Sequence, residues 1–158
     1  MSLAADRLTE ERKRWRKDHP AGFVAKFSQK ADGSLDIFKW DCAIPGPADS
    51  PWEGGLYKIR VEFPENYPAA PPTCTFKPPL FHPNVFPSGK VCLSILHPEG
   101  WNPSFGIRQV LEGIQYLLKV PNTVDPASQK ASDAFKTNKK SYESVARKMA
   151  SENRIVPD

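Results

Sequence analysis

The strongest pattern in the chain lies between residues 107 and 118. There Ile107, Val110, Leu111, Ile114, Leu117 and Leu118 recur at three- and four-residue spacing. That period predicts an amphipathic helix whose apolar stripe belongs to the core. Another helix is predicted over residues 2–17, with Ala4, Leu8 and Trp15 near one face and Asp18-His19-Pro20 as its stop. Between these two the period shortens, and Phe23–Ser28, Leu35–Ile44 and Leu56–Phe63 read as strands. The third alternates Lys58, Arg60 and Glu62 with Tyr57, Ile59, Val61 and Phe63. Asp32-Gly33 is a hairpin signal and Gly54-Gly55 punctuates the entry to the third strand. A helix followed by strands on short turns implies an antiparallel meander.

The chain then changes character. Eight prolines fall between Pro64 and Pro87, interleaved with Tyr67, Phe76, Leu80, Phe81 and Val85. A low-complexity polyproline ligand lacks such anchors, so the stretch reads as a long rigid loop pinned to a core. Tyr67-Pro68 is a candidate cis bond. A second loop, His97 to Gly106, precedes the 107–118 helix. Asp125-Pro126 reads as the opening of a further helix, Asp as N-cap and Pro in the first turn. A last helix is expected from about Asn138 to Ser151, with Tyr142, Val145 and Met149 on one side.

Composition narrows the function classes. A length of 158 residues, 39% hydrophobic and 25% charged, fits one globular domain over 1–158 with its own core. No apolar run approaches the roughly 20 residues of a membrane span. The charged start carries no secretory signal core. Three cysteines at irregular positions, Cys42, Cys74 and Cys92, make neither a disulfide framework nor a zinc cluster, so no metal is expected. A reducing compartment follows, cytoplasm or nucleus.

The net charge of +4 is local. Residues 1–30 hold eight Lys/Arg against four acids, and the remainder balances. Arg12, Lys13, Arg16 and Lys17 fall together on the first helix, as a docking surface or as an ordinary solvated face. A nucleic-acid module would rest on that charge alone, without interleaved aromatics, and no direct nucleic-acid binding is expected.

The chemistry concentrates around Cys92. Cys42 and Cys74 lie in strand-like runs and read as buried, inert thiols. Cys92 instead follows Pro87-Ser88-Gly89-Lys90, a turn after a rigid loop, where a side chain can be exposed. Tyr67-Pro68-x-x-Pro71-Pro72, Phe81-His82-Pro83-Asn84-Val85, Gly89-x-Val91-Cys92-Leu93 and Trp101-x-Pro103 stand in the order found in ubiquitin-like conjugating enzymes, and the chain resembles that family along essentially its whole length. Trp15-Arg16-Lys17-Asp18-His19-Pro20, Gly22-Phe23, Trp52-Glu53-Gly54-Gly55 and Pro87-Ser88-Gly89 resemble its SUMO-conjugating branch.

The resemblance implies an α+β fold: a four-stranded antiparallel sheet with N-terminal, central and C-terminal helices. It implies acyl transfer, in which a heterodimeric activating enzyme spends ATP and passes a SUMO-like modifier to Cys92 as a thioester. A lysine amine of a protein substrate then attacks, with SUMO ligases as further partners and no cofactor in this chain. Cysteine suits both steps, as nucleophile and as leaving group. Only about one lysine amine in a thousand is neutral near pH 7.4, so the site is expected to desolvate the incoming lysine and lower its pKa, with Phe86 and the apolar edge of the loop as that environment. Asn84 is expected either to donate to the oxyanion or to tie down the loop. Asp125 matches a position that contacts the acceptor lysine, and Phe86, Ser88, Lys90 and Pro126 form that lysine's surroundings. His82 and Pro83 read as structural. Arg12, Lys13, Arg16, Lys17 and His19 are expected to dock modifier and activating enzyme. A ubiquitin-conjugating enzyme and a non-catalytic scaffold of the same fold are the alternatives.

The resemblance breaks at a few places. Thr73 and Thr75 stand where relatives usually carry lysines, Lys90 where a threonine is usual, Phe86 where a tyrosine is usual, and Ser132 near a usual aromatic. Leu96 to Trp101 is shorter and less acidic. These departures bear on how an acid two residues beyond the acceptor lysine is read, with Lys90 the candidate cation.

Overall fold

A computed structural model describes residues 2–154; the outermost positions of the 1–158 domain expectation lie outside the described residues. The first helix, α1, spans Leu3–Lys17, and the Ser2 hydroxyl caps it by accepting the Ala5 N–H at 3.1 Å. Ala4, Leu8 and Trp15 are buried, as the pattern predicts.

Four strands follow, β1 Val24–Gln29, β2 Leu35–Pro45, β3 Leu56–Glu62 and β4 Thr73–Phe76, in one antiparallel sheet of order β1-β2-β3-β4. Trp40, Cys42, Ile44, Tyr57, Ile59, Val61, Cys74 and Phe76 all point into the core. The alternation that predicts the strands is thus the alternation of burial. The residue pattern marks β4 only by the strand-like run around Cys74 and gives it no bounds, because it supplies only Thr-Cys-Thr-Phe among prolines.

Helix α2, Ile107–Lys119, buries all six residues of its apolar stripe. Its N-terminus carries a feature the charge count conceals. Glu11, one of the acids set against the basic patch, is only 5% exposed. Its Oε1 accepts the Ile107 N–H at 2.7 Å, its Oε2 accepts from Arg7 Nε at 2.9 Å, and the Tyr67 hydroxyl also donates to it. Arg7 donates in turn to the Phe105 carbonyl at 2.9 Å. Burial, and then the Glu11 carboxylate, push the Tyr67 phenol up, so it remains the donor. One carboxylate therefore joins α1, the proline-rich loop and the N-terminus of α2.

That loop is pinned as its aromatics suggest. Tyr67 packs edge-on to Phe63 at 4.7 Å, and Trp101 Nε1–H donates to the Pro68 carbonyl at 2.7 Å. Tyr67–Pro68 is cis, and so is Lys77–Pro78.

The C-terminal half requires a correction. The helix expected to open at Asp125-Pro126 begins instead at Gln129, giving α3 Gln129–Thr137, capped by the Ser128 hydroxyl on Ala131 N–H at 3.2 Å. The Ala127 and Ser128 N–H groups both donate to the Pro83 carbonyl, at 2.8 and 3.1 Å. Those donors are committed across the fold, so Asp125 caps nothing. Helix α4, Lys139–Glu152, follows with Asn138 as cap; Tyr142, Ala146 and Ala150 are its buried residues, while Val145 and Met149 are half-buried. Ser132 is fully buried and its hydroxyl has no hydrogen-bond partner among the described residues.

Candidate active site

Of the three thiols only Cys92 is exposed. Burial pushes the Cys42 and Cys74 thiols up, away from the reactive thiolate. Cys92 sits just beyond a bridge between Val85 and Val91, and its N–H donates to the Asn84 carbonyl at 2.8 Å. Backbone contacts with the rigid loop therefore set its position.

The loop in turn rests on His82, which is fully buried. Its Nδ1 accepts the Asn84 N–H at 2.9 Å and its Nε2 lies 2.7 Å from the Leu117 carbonyl, so Nε2 carries the proton. Both nitrogens are occupied, and none is left to act as a base. Burial also lowers the pKa of this imidazole from 6.5 to about 4. The fold needs the neutral ring, whereas the unfolded chain protonates near pH 6.5. The stabilisation is therefore complete above that pH and fades as pH falls, by about 3 kcal/mol at pH 4. Urea midpoints should drop steeply between pH 6.5 and 4, and the His82 ring signals in NMR should not titrate above pH 5.

Asn84 is 2% exposed and faces Asn122. Its Nδ2 donates to the Asn122 carbonyl at 2.7 Å and its Oδ1 accepts the Asn122 N–H at 2.8 Å. The side chain thus clamps the loop after α2 to the loop before Cys92. A primary amide has two N–H groups, and this clamp uses one.

Asn84, Cys92 and Asp125 open onto one cavity of about 540 Å³, floored by Leu93 and Leu117. Asp125 is exposed, and the segment just after it is tied down by the bonds of Ala127 and Ser128 to Pro83. His97 and Glu99, which the motifs do not single out, line the same cavity.

The turn before Cys92 presents Phe86, Ser88 and Lys90 outward, all exposed, Phe86 at 39%. Phe86 N–H donates to the Lys90 carbonyl at 2.9 Å and Lys90 N–H to the Ser88 hydroxyl at 3.3 Å. Gly89, at φ +95°, closes the turn; a Cβ there would stand 2.3 Å from the Phe76 carbonyl oxygen. Pro83 is buried and Pro126 half-buried. Register then reveals what spacing hides. Lys26, Asp41, Arg60, Thr75 and Lys90 are successive partners across the sheet, a charged row ending two residues from Cys92.

The basic helix face divides. Arg12 and Arg16 line a hollow of about 670 Å³ with Lys26, Arg60 and Asp41, whereas Lys17 lines a different one with Arg14 and Arg108. Partial burial, and then Arg16, lower the Arg12 guanidinium's proton affinity. Lys13 is exposed and lines neither hollow. His19 stacks on Trp15 at 5.2 Å and its Nδ1 lies 2.9 Å from the Trp15 carbonyl, ending α1. Lys26 and Arg60 join the patch through pairing of β1, β2 and β3. No group of three or more His, Cys, Asp or Glu capable of holding a metal occurs among the described residues. Nor is any described helix long and apolar enough to cross a membrane.

An exposed cysteine beside a rigid His-Pro-Asn loop, a clamped asparagine and an exposed aspartate line one cavity. The family model for ubiquitin-conjugating enzymes matches residues 7–150. The chain belongs to the ubiquitin-conjugating enzyme family. Among its relatives, SUMO-conjugating enzyme UBC9 of Caenorhabditis elegans is 55% identical over 149 residues, 94% of this chain and 90% of that protein. Sumo-conjugating enzyme ubc9 of Dictyostelium discoideum is 49% identical over 156 residues, 98% of this chain and 96% of its own length.

Proposed function

We propose that this chain is a SUMO-conjugating enzyme that takes its modifier from an activating enzyme as a thioester on Cys92 and passes it to substrate lysines. The observation that carries the residue assignment is the exposed Cys92 sharing one cavity with Asn84 and Asp125. The names of two relatives that span nearly the whole chain carry the choice of modifier. ATP is spent by the activating enzyme, so this chain needs only a thiol and its surroundings. SUMO ligases are further partners, and nucleus and cytoplasm are the compartments. The test incubates the protein with ATP and either SUMO and its activating enzyme or ubiquitin and its own. A reductant-sensitive adduct is expected with SUMO. Its charging rate should fall as salt rises, because Arg12, Lys13, Arg16, Lys17 and His19 form the docking face. Charging by the ubiquitin system alone sinks the assignment.

At the acceptor step, Asp125 holds the incoming lysine and offsets the positive charge that grows on nitrogen as it attacks. By itself a carboxylate favours the charged amine, so its contribution is orientation. Phe86, Ser88, Lys90 and Pro126 bound the approach, with Lys90 meeting an acid near the acceptor lysine. Asp125→Asn should discharge onto lysine about tenfold more slowly, which is ~1.4 kcal/mol of barrier, with charging unchanged. Because Ser128 is the cap, Asp125→Ala should also retain full stability. Single-turnover discharge and urea denaturation of both variants check this, and a wild-type discharge rate for Asp125→Asn would remove Asp125 from the mechanism.

A further inference from the structure

A charged enzyme of this kind needs an amine, and the chain carries one two residues before its nucleophile. Lys90 and Cys92 are both exposed, whereas Val91 between them is 3% exposed. Alternate side chains of an extended segment share a face, so Lys90 and Cys92 stand on the same outer side. Two residues of chain span at most about 7 Å, a gap that the flexible four-carbon stem of a lysine can cross.

The backbone holds this arrangement from both sides. Phe76 N–H donates to the Gly89 carbonyl at 2.8 Å and Val91 N–H to the Cys74 carbonyl at 2.9 Å, which pins Lys90 opposite Thr75 on the edge of β4. Across the segment Val91 bridges Val85, and Cys92 N–H is committed to the Asn84 carbonyl. The ammonium itself is untethered. Lys90 takes part in none of the ion pairs among the described residues. The acid in its cross-sheet row, Asp41, is already paired with Arg60 at 3.2 Å.

Resting on the assignment of Cys92 as nucleophile, we propose that Lys90 is a site of self-modification, taking the modifier from Cys92 of its own chain when no substrate is bound. Lys90 gives one proton to water. Its neutral Nζ attacks the thioester carbonyl carbon and forms the C–N bond. The C–S bond breaks with its electron pair going to Cys92 Sγ, which takes a second proton from nitrogen, and the third proton stays on the new amide. Only about one lysine amine in a thousand is neutral near pH 7.4, but the tether offsets this rarity. Groups joined by a short flexible link meet at an effective concentration on the order of millimolar. A substrate acid seated on Lys90 favours its charged form, so a filled site transfers outward and an empty one turns on itself.

The test charges the full chain with SUMO, removes ATP to stop recharging, and leaves the thioester without substrate. A reductant-resistant adduct is expected to appear with first-order kinetics that do not change as enzyme is diluted. Peptide mapping should place the modifier on Lys90. Lys90→Arg keeps the positive charge but cannot lose a proton to become a nucleophile. Compared from an equal amount of thioester, it should lose this adduct to background. An adduct that forms as fast in Lys90→Arg, or maps to other lysines, overturns the proposal. So does transfer in trans, seen as modifier reaching Lys90 of an added Cys92→Ala chain at the same rate. Failure of the wild-type protein to charge on Cys92 would instead sink the underlying site assignment.

Discussion

Cys92→Ala should form no adduct at all with activated modifier, whereas Cys42→Ala and Cys74→Ala should still charge. The reason lies in exposure and burial. Cys92 is the exposed thiol, held by its N–H on the Asn84 carbonyl and facing a cavity large enough for an extended peptide tail. Cys42 and Cys74 are buried in β2 and β4, and burial keeps both as thiols. Loss of the nucleophile removes the covalent step outright, so turnover should fall to background. Cys92→Ser keeps the geometry but offers a hydroxyl, a far weaker nucleophile than a thiolate near neutral pH. It should charge slowly and hold the modifier as an oxyester that resists reductant. A reductant-sensitive adduct on Cys92→Ala would overturn the mechanism.

Glu11→Ala should lower the folding free energy by about 3 kcal/mol, without any change at the reacting groups. The substitution removes one exposed-looking acid from a basic helix, and by sequence it should be harmless or even neutral. In the fold it strands three donors: the Ile107 N–H at the start of α2, the Tyr67 hydroxyl and Arg7. Tyr67 and Ile107 are buried, so water cannot replace the lost acceptor without disturbing the packing. Glu11→Gln retains one carbonyl oxygen for Ile107 and should lose roughly half as much. Urea denaturation at pH 7 measures both variants. A loss under about 0.5 kcal/mol for Glu11→Ala would mean the network contributes nothing net.

Much of the molecule was legible in the residues alone. The first helix, three strands, the α2 stripe and the final helix come from local periodicity, and local periodicity is what burial on one face imposes. The exposure of Cys92 was legible too, because a cysteine beyond a proline-rich turn differs from cysteines inside strands. Tertiary structure decided everything that depends on partners distant in sequence. The strand Thr73–Phe76 is too short to alternate visibly and exists because β3 and the 89–91 segment pair with its two edges. Asp125 is no cap because the Pro83 carbonyl, from the other side of the site, takes the donors that a helix there would have used. Glu11 is only one of four acids in a charge count until its partner, 96 residues away, proves to be the first amide of α2. The row from Lys26 to Lys90 draws one residue from each strand and one from the loop, and no spacing along the chain can reveal it. Hydrophobic period is a local property that the chain carries wherever it goes. The pairing of a polar group is settled only when folding brings its partner within about 3 Å.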